Sequence, residues 1–424
     1  MLNGLKNFLK TSYTAYHAVD NAKAILSENG FTALHEGEDW AIEEGGKYYI
    51  ERNGCALIAF TVGNLDQFSF KVAAAHVDSP ALKIKENPVM ETGPYEKLNV
   101  ETYGGGIWYS FLDCPLKVAG RIIVDEGGVL KSKSVASDYC LTIPSLAIHQ
   151  NRGVNDGFSI NAQTDLLPLL SASGFGKEWL DRITNETVIA KELFLTNATE
   201  PYTFGVEDEF LASPRIDDLS GVYAILQALI AHSTQSNGIC IGAFFDNEEI
   251  GSHTAQGAAG DFLENTLRRI TYALKLDENE LYKGLASSML ISVDNGHGLH
   301  PNHPETTDPT NKAVLGGGVV IKHHAGKAYT TDALTAAIMQ TICNRAGVKS
   351  QNFFNRSDVR SGSTLGVLAQ SRMSMPAVDI GLAQLAMHSA CETFAIADYE
   401  EMQTALTAFF SSNISICGNE TVID

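Results

Sequence analysis

FKVAAAHVDS, residues 70–79, is the stretch on which the reading of this chain turns. An apolar run ends there in His76 and Asp78, as a buried central strand does before its functional loop. Two residues apart on an extended backbone, the two side chains leave on one face. That allows an imidazole to bind a metal through one nitrogen while the other donates to Asp78, which fixes tautomer and ring orientation. Alone, the pair serves equally as an ordinary polar strand end.

Four more acid-and-histidine segments follow, each beside an apolar run. They are SPRIDDLSG around Asp217, FFDNEEIGS around Glu248 and Glu249, ISVDNGHGLHPN around Asp294, and AMHSACE around His388. Together they supply what is needed to hold two divalent metals and keep one carboxylate free as a base. Glu248 and Glu249 are adjacent at a strand end, where neighbouring side chains diverge, so one suits a metal and the other an attacking water. Asp217 precedes a helix, where it or Asp218 also serves as an N-cap; a carboxylate is equally the usual bridge between metals about 3.5–4 Å apart. Asp294 ends a buried strand, where an uncompensated charge is costly. His388 taken alone reads as a core histidine. A serine or cysteine nucleophile has less support, since there is no GxSxG elbow and no cysteine in an obvious activating context; without a P-loop or Rossmann glycine run, NTP and dinucleotide chemistry are set aside.

Around these segments the chain has an α/β rhythm. The first 30 residues read as helical, and KYYIER, CALIAFTVG and FKVAAAHVD read as strands. From 86 to 207 short β-rich runs alternate with glycine turns, including YGGGIW at 103–108 and LKVAGRIIVDEGGVLKSKSV at 116–135. Leu219, Val222, Ile225, Leu226 and Leu229 then follow helical spacing. ICIGAFFD, SSMLISVD, GGVVIKHH and MPAVDIG are further strands, and 394–412 is a closing helix. The expected fold is α/β: a mostly parallel central sheet with flanking helices, built from 1–85 and 208–424 and interrupted by a β-rich domain at 86–207.

A length of 424 residues is large for one core, in keeping with two domains. Fifty acidic against 30 basic residues, a formal charge of −20, argue against nucleic acid and anionic membrane as partners. Neither a signal peptide nor an 18-residue apolar span is evident. Cys55, Cys114, Cys140, Cys240, Cys343, Cys391 and Cys417 form no CxxC pair, which fits reduced, mostly buried thiols of a cytoplasmic protein and argues against a cysteine zinc site.

With FLKTSYTAYHAV, GGKYYIERNGCALIAFTVG, AAHVDSPALKIK, YGGGIW, IPSLAIHQNR, HPNHPE and QLAMHSACE in the same order, the chain resembles the M18 zinc aminopeptidases, whose best-known members are the aspartyl aminopeptidases. The resemblance implies removal of N-terminal residues, acidic ones preferred, from peptides. It implies a β-rich dimerisation domain and dimers assembled into a hollow tetrahedral dodecamer. Two divalent ions per subunit are implied, zinc foremost, with cobalt and manganese also suited to such ligands. His76 and Asp294 would be terminal ligands of one, Glu249 and His388 of the other, with Asp217 bridging. Asp78 would orient His76, and Glu248 would be general base and acid. His149, in LAIHQ, matches a histidine sent into the partner's active site to stabilise the oxyanion. Lys322, in VVIKHH, would read an acidic substrate side chain, with Tyr329 nearby.

The chain departs from the family pattern in three places. Asp218 stands where many members carry Asn, Val359 and Arg360 alter NRSDVRSGSTLG, and Asn295-Gly-His-Gly has extra glycine, the mark of a looser loop. A related dinuclear amidohydrolase or deacylase is the nearest other reading. An inactive self-assembling homologue is a further one, against which the intact ligand set weighs.

Overall fold

The computed structural model describes residues 2–172, 174–232, 237–417 and 420–424. The runs Phe70–His76 and Ile239–Phe245 are buried at every position. Such strands keep their backbone groups paired only inside a sheet that is covered on both faces. They lie parallel, with Phe245 beside His76. Met289–Val293 and Ala377–Gly381 continue the parallel order, so four central strands run the same way. Outside them the sheet is mixed. Ala56–Val62 is antiparallel to Ile239–Phe245, Lys47–Arg52 to Ala56–Val62, and Val319–His323 to Ala377–Gly381. Thr32–Leu34 and Ser350–Phe354 complete nine described strands at the two edges.

Alternation along each strand divides the core in two. Ala73 and Ala75 face the helices Leu2–Thr11, Ala15–Glu28, Ile216–Ala231 and Ile396–Ser411, whereas Val72 and Ala74 face Phe262–Ala273 and Leu365–Met373. Straight after Asp78 the chain leaves this sheet. Ala81–Thr92 opens a second, six-stranded sheet that closes at Val188–Asn197 and is antiparallel in every described pairing. This sheet has its own apolar cluster around Leu82, Leu98, Val118, Leu193 and Leu195.

A third sheet is built from five short strands: Tyr202–Phe204, Phe210–Ser213, Glu392–Ala395, Ala383–Leu385 and Gly296–His297. It joins the segments that flank Asp217, Asp294 and His388. The loop expected to be loose after Asp294 is therefore held. Asn295 is buried, donates to Ser220 Oγ at 3.1 Å and accepts from the Leu382 N–H at 3.0 Å, while Gly296 and Gly298 donate to Leu382 and Gln384. A Cβ on Gly298 would fall 2.7 Å from Leu315 Cδ1 and 3.2 Å from the Gln384 carbonyl, so that glycine leaves room for the pairing.

Cys55, Cys240 and Cys343 are buried, Cys114 and Cys391 half-buried and Cys140 exposed; the Cys417 side chain lies outside the described residues. Thiols are thus less uniformly buried than their pattern implied. Among the described residues no helix is long and apolar enough to cross a membrane.

His232 follows the helix Ile216–Ala231 with its ring turned inward, Nε2 lying 2.8 Å from Thr61 Oγ1 and the ring edge-on to Phe410. Burial, then the nearby charges of Lys71 and Lys47, push its pKa down to about 4. An unfolded histidine titrates near ~6.5, so the unfolded chain takes up this proton first. The resulting stability is complete above that pH and is lost as pH falls toward 4, by about 2–3 kcal/mol at pH ~4.5. His232→Gln should remove that share of the acid sensitivity, read as urea unfolding at pH ~7 and ~4.5 beside the wild type. Equal losses in both proteins would contradict it.

Candidate metal centre

The parallel strands release their ends at one edge of the central sheet. Phe70–His76 ends in His76, and Met289–Val293 delivers Asp294. After Ile239–Phe245, Asn247 takes a left-handed φ of 62° and turns Glu248–Ile250 across the strand ends. Asp217 lies at the mouth of the helix Ile216–Ala231, where it and Asp218 depart from helical geometry, so neither acts as the simple cap their position allows. His388, with φ 64°, lies between Ala383–Leu385 and Glu392–Ala395.

Two donor groups result. Donor atoms of His76, Asp217 and Asp294 lie within 4.8 Å of one another, as do those of Asp217, Glu249 and His388. Asp217 belongs to both. Its Oδ1 is 3.3 Å from His76 Nε2, and its Oδ2 is 3.5 Å from His388 Nε2. Glu249 Oε1 is 3.4 Å from the same His388 nitrogen. Among the described residues, the buried oxygens Asp217 Oδ1 and Glu249 Oε1 accept no hydrogen bond. Burying such acceptors unpaired is costly, and a cation in each group removes the cost. Imidazole and carboxylate donors suit zinc, cobalt or manganese. The residues fit metals.

Charge in the centre tells the same story. Burial, reinforced by Asp294, Asp78 and Asp217 and partly offset by His76, pushes Glu248 up to about 8. Burial raises Asp294 to about 6 against the pull of Lys322, and raises Glu249 well above its usual range. Burial opposes a charge on His388, yet Asp217 and Glu249 lift it to about 10. Against burial, the two imidazoles hold Asp217 below the usual carboxylate range. The centre calls for positive charge.

Asp78 organises the floor. Its Oδ2 accepts from Tyr103 Oη at 2.7 Å and the Glu249 N–H at 3.2 Å, and its Oδ1 from the Glu248 N–H at 3.1 Å. His76 Nδ1 lies 3.0 Å from the Asp78 main-chain oxygen and 3.5 Å from its carboxylate. The imidazole is thus nearer the Asp78 carbonyl than the carboxylate, and both lie on its Nδ1 side. His388 Nδ1 lies 3.1 Å from the Gly105 carbonyl. Gly104, at φ 76°, brings this backbone in: a Cβ there would come within 3.1 Å of Glu249 Cβ. That accounts for the first glycine of YGGGIW.

Glu249 joins one donor group, whereas Glu248 is partly open to solvent and joins neither. Lys322 is fully buried, its Nζ 3.8 Å from Asp294 Oδ1, 3.2 Å from the Asn295 carbonyl and 5.1 Å from the Tyr329 ring centre. Tyr329 is buried as well, and its hydroxyl accepts from Asn355 at 3.3 Å. Asp218 is buried, with Oδ2 3.4 Å from the His76 N–H, and burial raises its pKa. His149 is exposed on a segment of the second-sheet region and is not among the clustered donors; Val359 and Arg360 are exposed too. The sequence reading does not single out Tyr103 or Glu392. Glu392 accepts from the N–H groups of Asp217 and His388 at 3.0 and 2.6 Å. Both residues lie inside YGGGIW and AMHSACE, and that adjacency was the available signal.

Comparison with known proteins gives a consistent result. Residues 8–410 match the family described as aminopeptidase I zinc metalloprotease (M18). A probable M18 family aminopeptidase 2 of Clostridium novyi is 40% identical over 94% of this chain and 95% of its own length. Another from Pseudomonas paraeruginosa is 36% identical over 97% and 98%. Among solved structures, Ape4 in a cryo-electron-microscopy complex with Nbr1 superposes with a TM-score of 0.92 at 31% identity, covering 96% of this chain and 85% of that one. The S. cerevisiae mApe1 dodecamer gives 0.83 at 27%, covering 96% and 95%. The chain belongs to the M18 family of zinc metallo-aminopeptidases, hydrolases that act on peptide bonds.

Proposed function

We propose that this chain removes N-terminal residues, acidic ones preferred, from peptides at a centre of two zinc ions. The observation that carries the reading is the shared Asp217, one oxygen toward each imidazole. His76 and Asp294 would hold one metal and Glu249 and His388 the other, with Asp217 shared between the two groups. Bound there, the metals supply Lewis acidity that polarises the scissile carbonyl and acidifies a water. Glu248 takes a proton from that water as oxygen adds to the carbonyl carbon. It returns the proton to the leaving nitrogen as the C–N bond breaks, ending as it began. Its main chain is tied to Asp78, which fixes where the carboxylate reaches.

The 86–207 segment is assigned as an inserted dimerisation domain that brings the partner subunit's His149 to the oxyanion. Support comes from Leu146, Ile148 and Phe158, which are exposed around His149 and leave apolar surface for a second copy. The dodecameric mApe1 relative supports the same assembly here. Cobalt or manganese suits the same donors, and the cysteine pattern is in keeping with the cytoplasm. Lys322 and Tyr329 are assigned to the pocket for an acidic side chain, since their contact places a buried cation beside Asp294.

Glu248→Gln should lower kcat by about 10²–10⁴-fold with both metals retained, measured on aspartyl-p-nitroanilide with metal content by mass spectrometry. Loss of a metal would instead make Glu248 a ligand. Lys322→Met should raise KM for aspartyl and glutamyl substrates selectively; an equal loss on leucyl-p-nitroanilide would remove Lys322 from specificity.

A further inference from the structure

We infer that Glu392 is a positioning residue that fixes the bridging Asp217 against His388, an inference that rests on the ligand roles of Asp217 and His388 proposed above. These two residues come from separate segments of the chain. At His388 the backbone φ is 64°, and Asp217 follows Arg215 at φ 59°, so neither is held by regular helix or strand geometry. Pairing of Phe210–Ser213 with Glu392–Ala395 brings the two loops together, but it ends at Ser213, short of Asp217 itself. Glu392 is 2% exposed and heads the strand Glu392–Ala395, where it pairs with Ser213, four residues before Asp217. One carboxylate oxygen, Oε2, accepts the Asp217 N–H at 3.0 Å, and Oε1 accepts the His388 N–H at 2.6 Å. The distance between the ligand backbones is therefore set by one rigid carboxylate. Asp217 has to present one oxygen to each imidazole, so a small shift of either loop spoils the bridge at one site.

A carboxylate has an acceptor for each of the two N–H groups. Glutamine of the same shape has one acceptor and an NH₂ that opposes the second donor. Glu392→Gln thus changes hydrogen bonding and leaves volume alone. Asp398 is a matched control, 1% exposed, with its two oxygens accepting the N–H groups of Gly316 and Gly318 at 2.7 and 2.8 Å. Asp398→Asn breaks a clamp of the same kind on a turn that carries no candidate ligand.

The test titrates zinc into chelated, full-length wild type, E392Q and D398N by calorimetry, after unfolding temperature and oligomeric state have been measured. Wild type should take up two ions per chain. E392Q should keep its assembly yet bind at least one ion about 10–100-fold more weakly, the range seen when a ligand's hydrogen-bond partner is lost. Its kcat should fall with little change in KM. D398N should unfold at lower temperature with metal affinity unchanged. Wild-type affinity in E392Q, or equal losses in E392Q and D398N, would overturn the inference. Should E392Q be insoluble, Glu392→Asp, with both acceptors on a shorter stem, should show the same weakening, and wild-type affinity there would overturn it equally. A wild type that binds no zinc would instead overturn the metal reading itself.

Discussion

The shared carboxylate of Asp217, buried between two imidazoles, is the constraint on which the rest of the structure depends. Around it Asp78, Asp218, Glu249 and Asp294 are also withdrawn from water, with Lys322 as the neighbouring lysine. Such a concentration of carboxylates is unfavourable without positive charge. The raised proton affinity of Glu249 and Asp294 and the charged imidazoles are responses of the metal-free chain to that need. A site that binds protons this avidly is built to hold cations in their place.

The fold meets the constraint by convergence. Parallel central strands end together and give His76 and Asp294, while the left-handed turn at Asn247 carries Glu249 across those ends. The small five-stranded sheet then draws in the loops of Asp217 and His388. From the second sheet come Tyr103, Gly104 and Gly105, which lock Asp78, approach Glu249 and orient His388. Three sheets therefore share one centre, and the segment leaving Asp78 for the second sheet couples them directly.

His76, Asp294 and the Glu248–Glu249 pair were legible in the sequence because each ends an apolar run, and a buried strand with a polar end has few other uses. Asp217 and Asp218 were not separable, since both suit a helix start. The structure divides them by partner: imidazoles for Asp217, the His76 N–H for Asp218. Glu392 and Tyr103 are marked only by lying inside AMHSACE and YGGGIW; no spacing ties either to its partner. Glu392 is 175 residues from Asp217 and meets main-chain N–H groups, which no pattern of residue types records; Tyr103 is 25 residues from Asp78. The third sheet escaped because strands of two to four residues have no readable period. Antiparallel pairing at Ala56–Val62 and Val319–His323 was hidden for a related reason, as fully buried strands look alike in either direction.

The central claim is that one aspartate bridges two metals. Anomalous diffraction at the zinc edge, from crystals of zinc-loaded protein, tests it most directly. The expected map has two peaks per chain about 3.5–4 Å apart, one beside His76 and Asp294, the other beside Glu249 and His388, with Asp217 between them. One peak, or two that do not share Asp217, would contradict it.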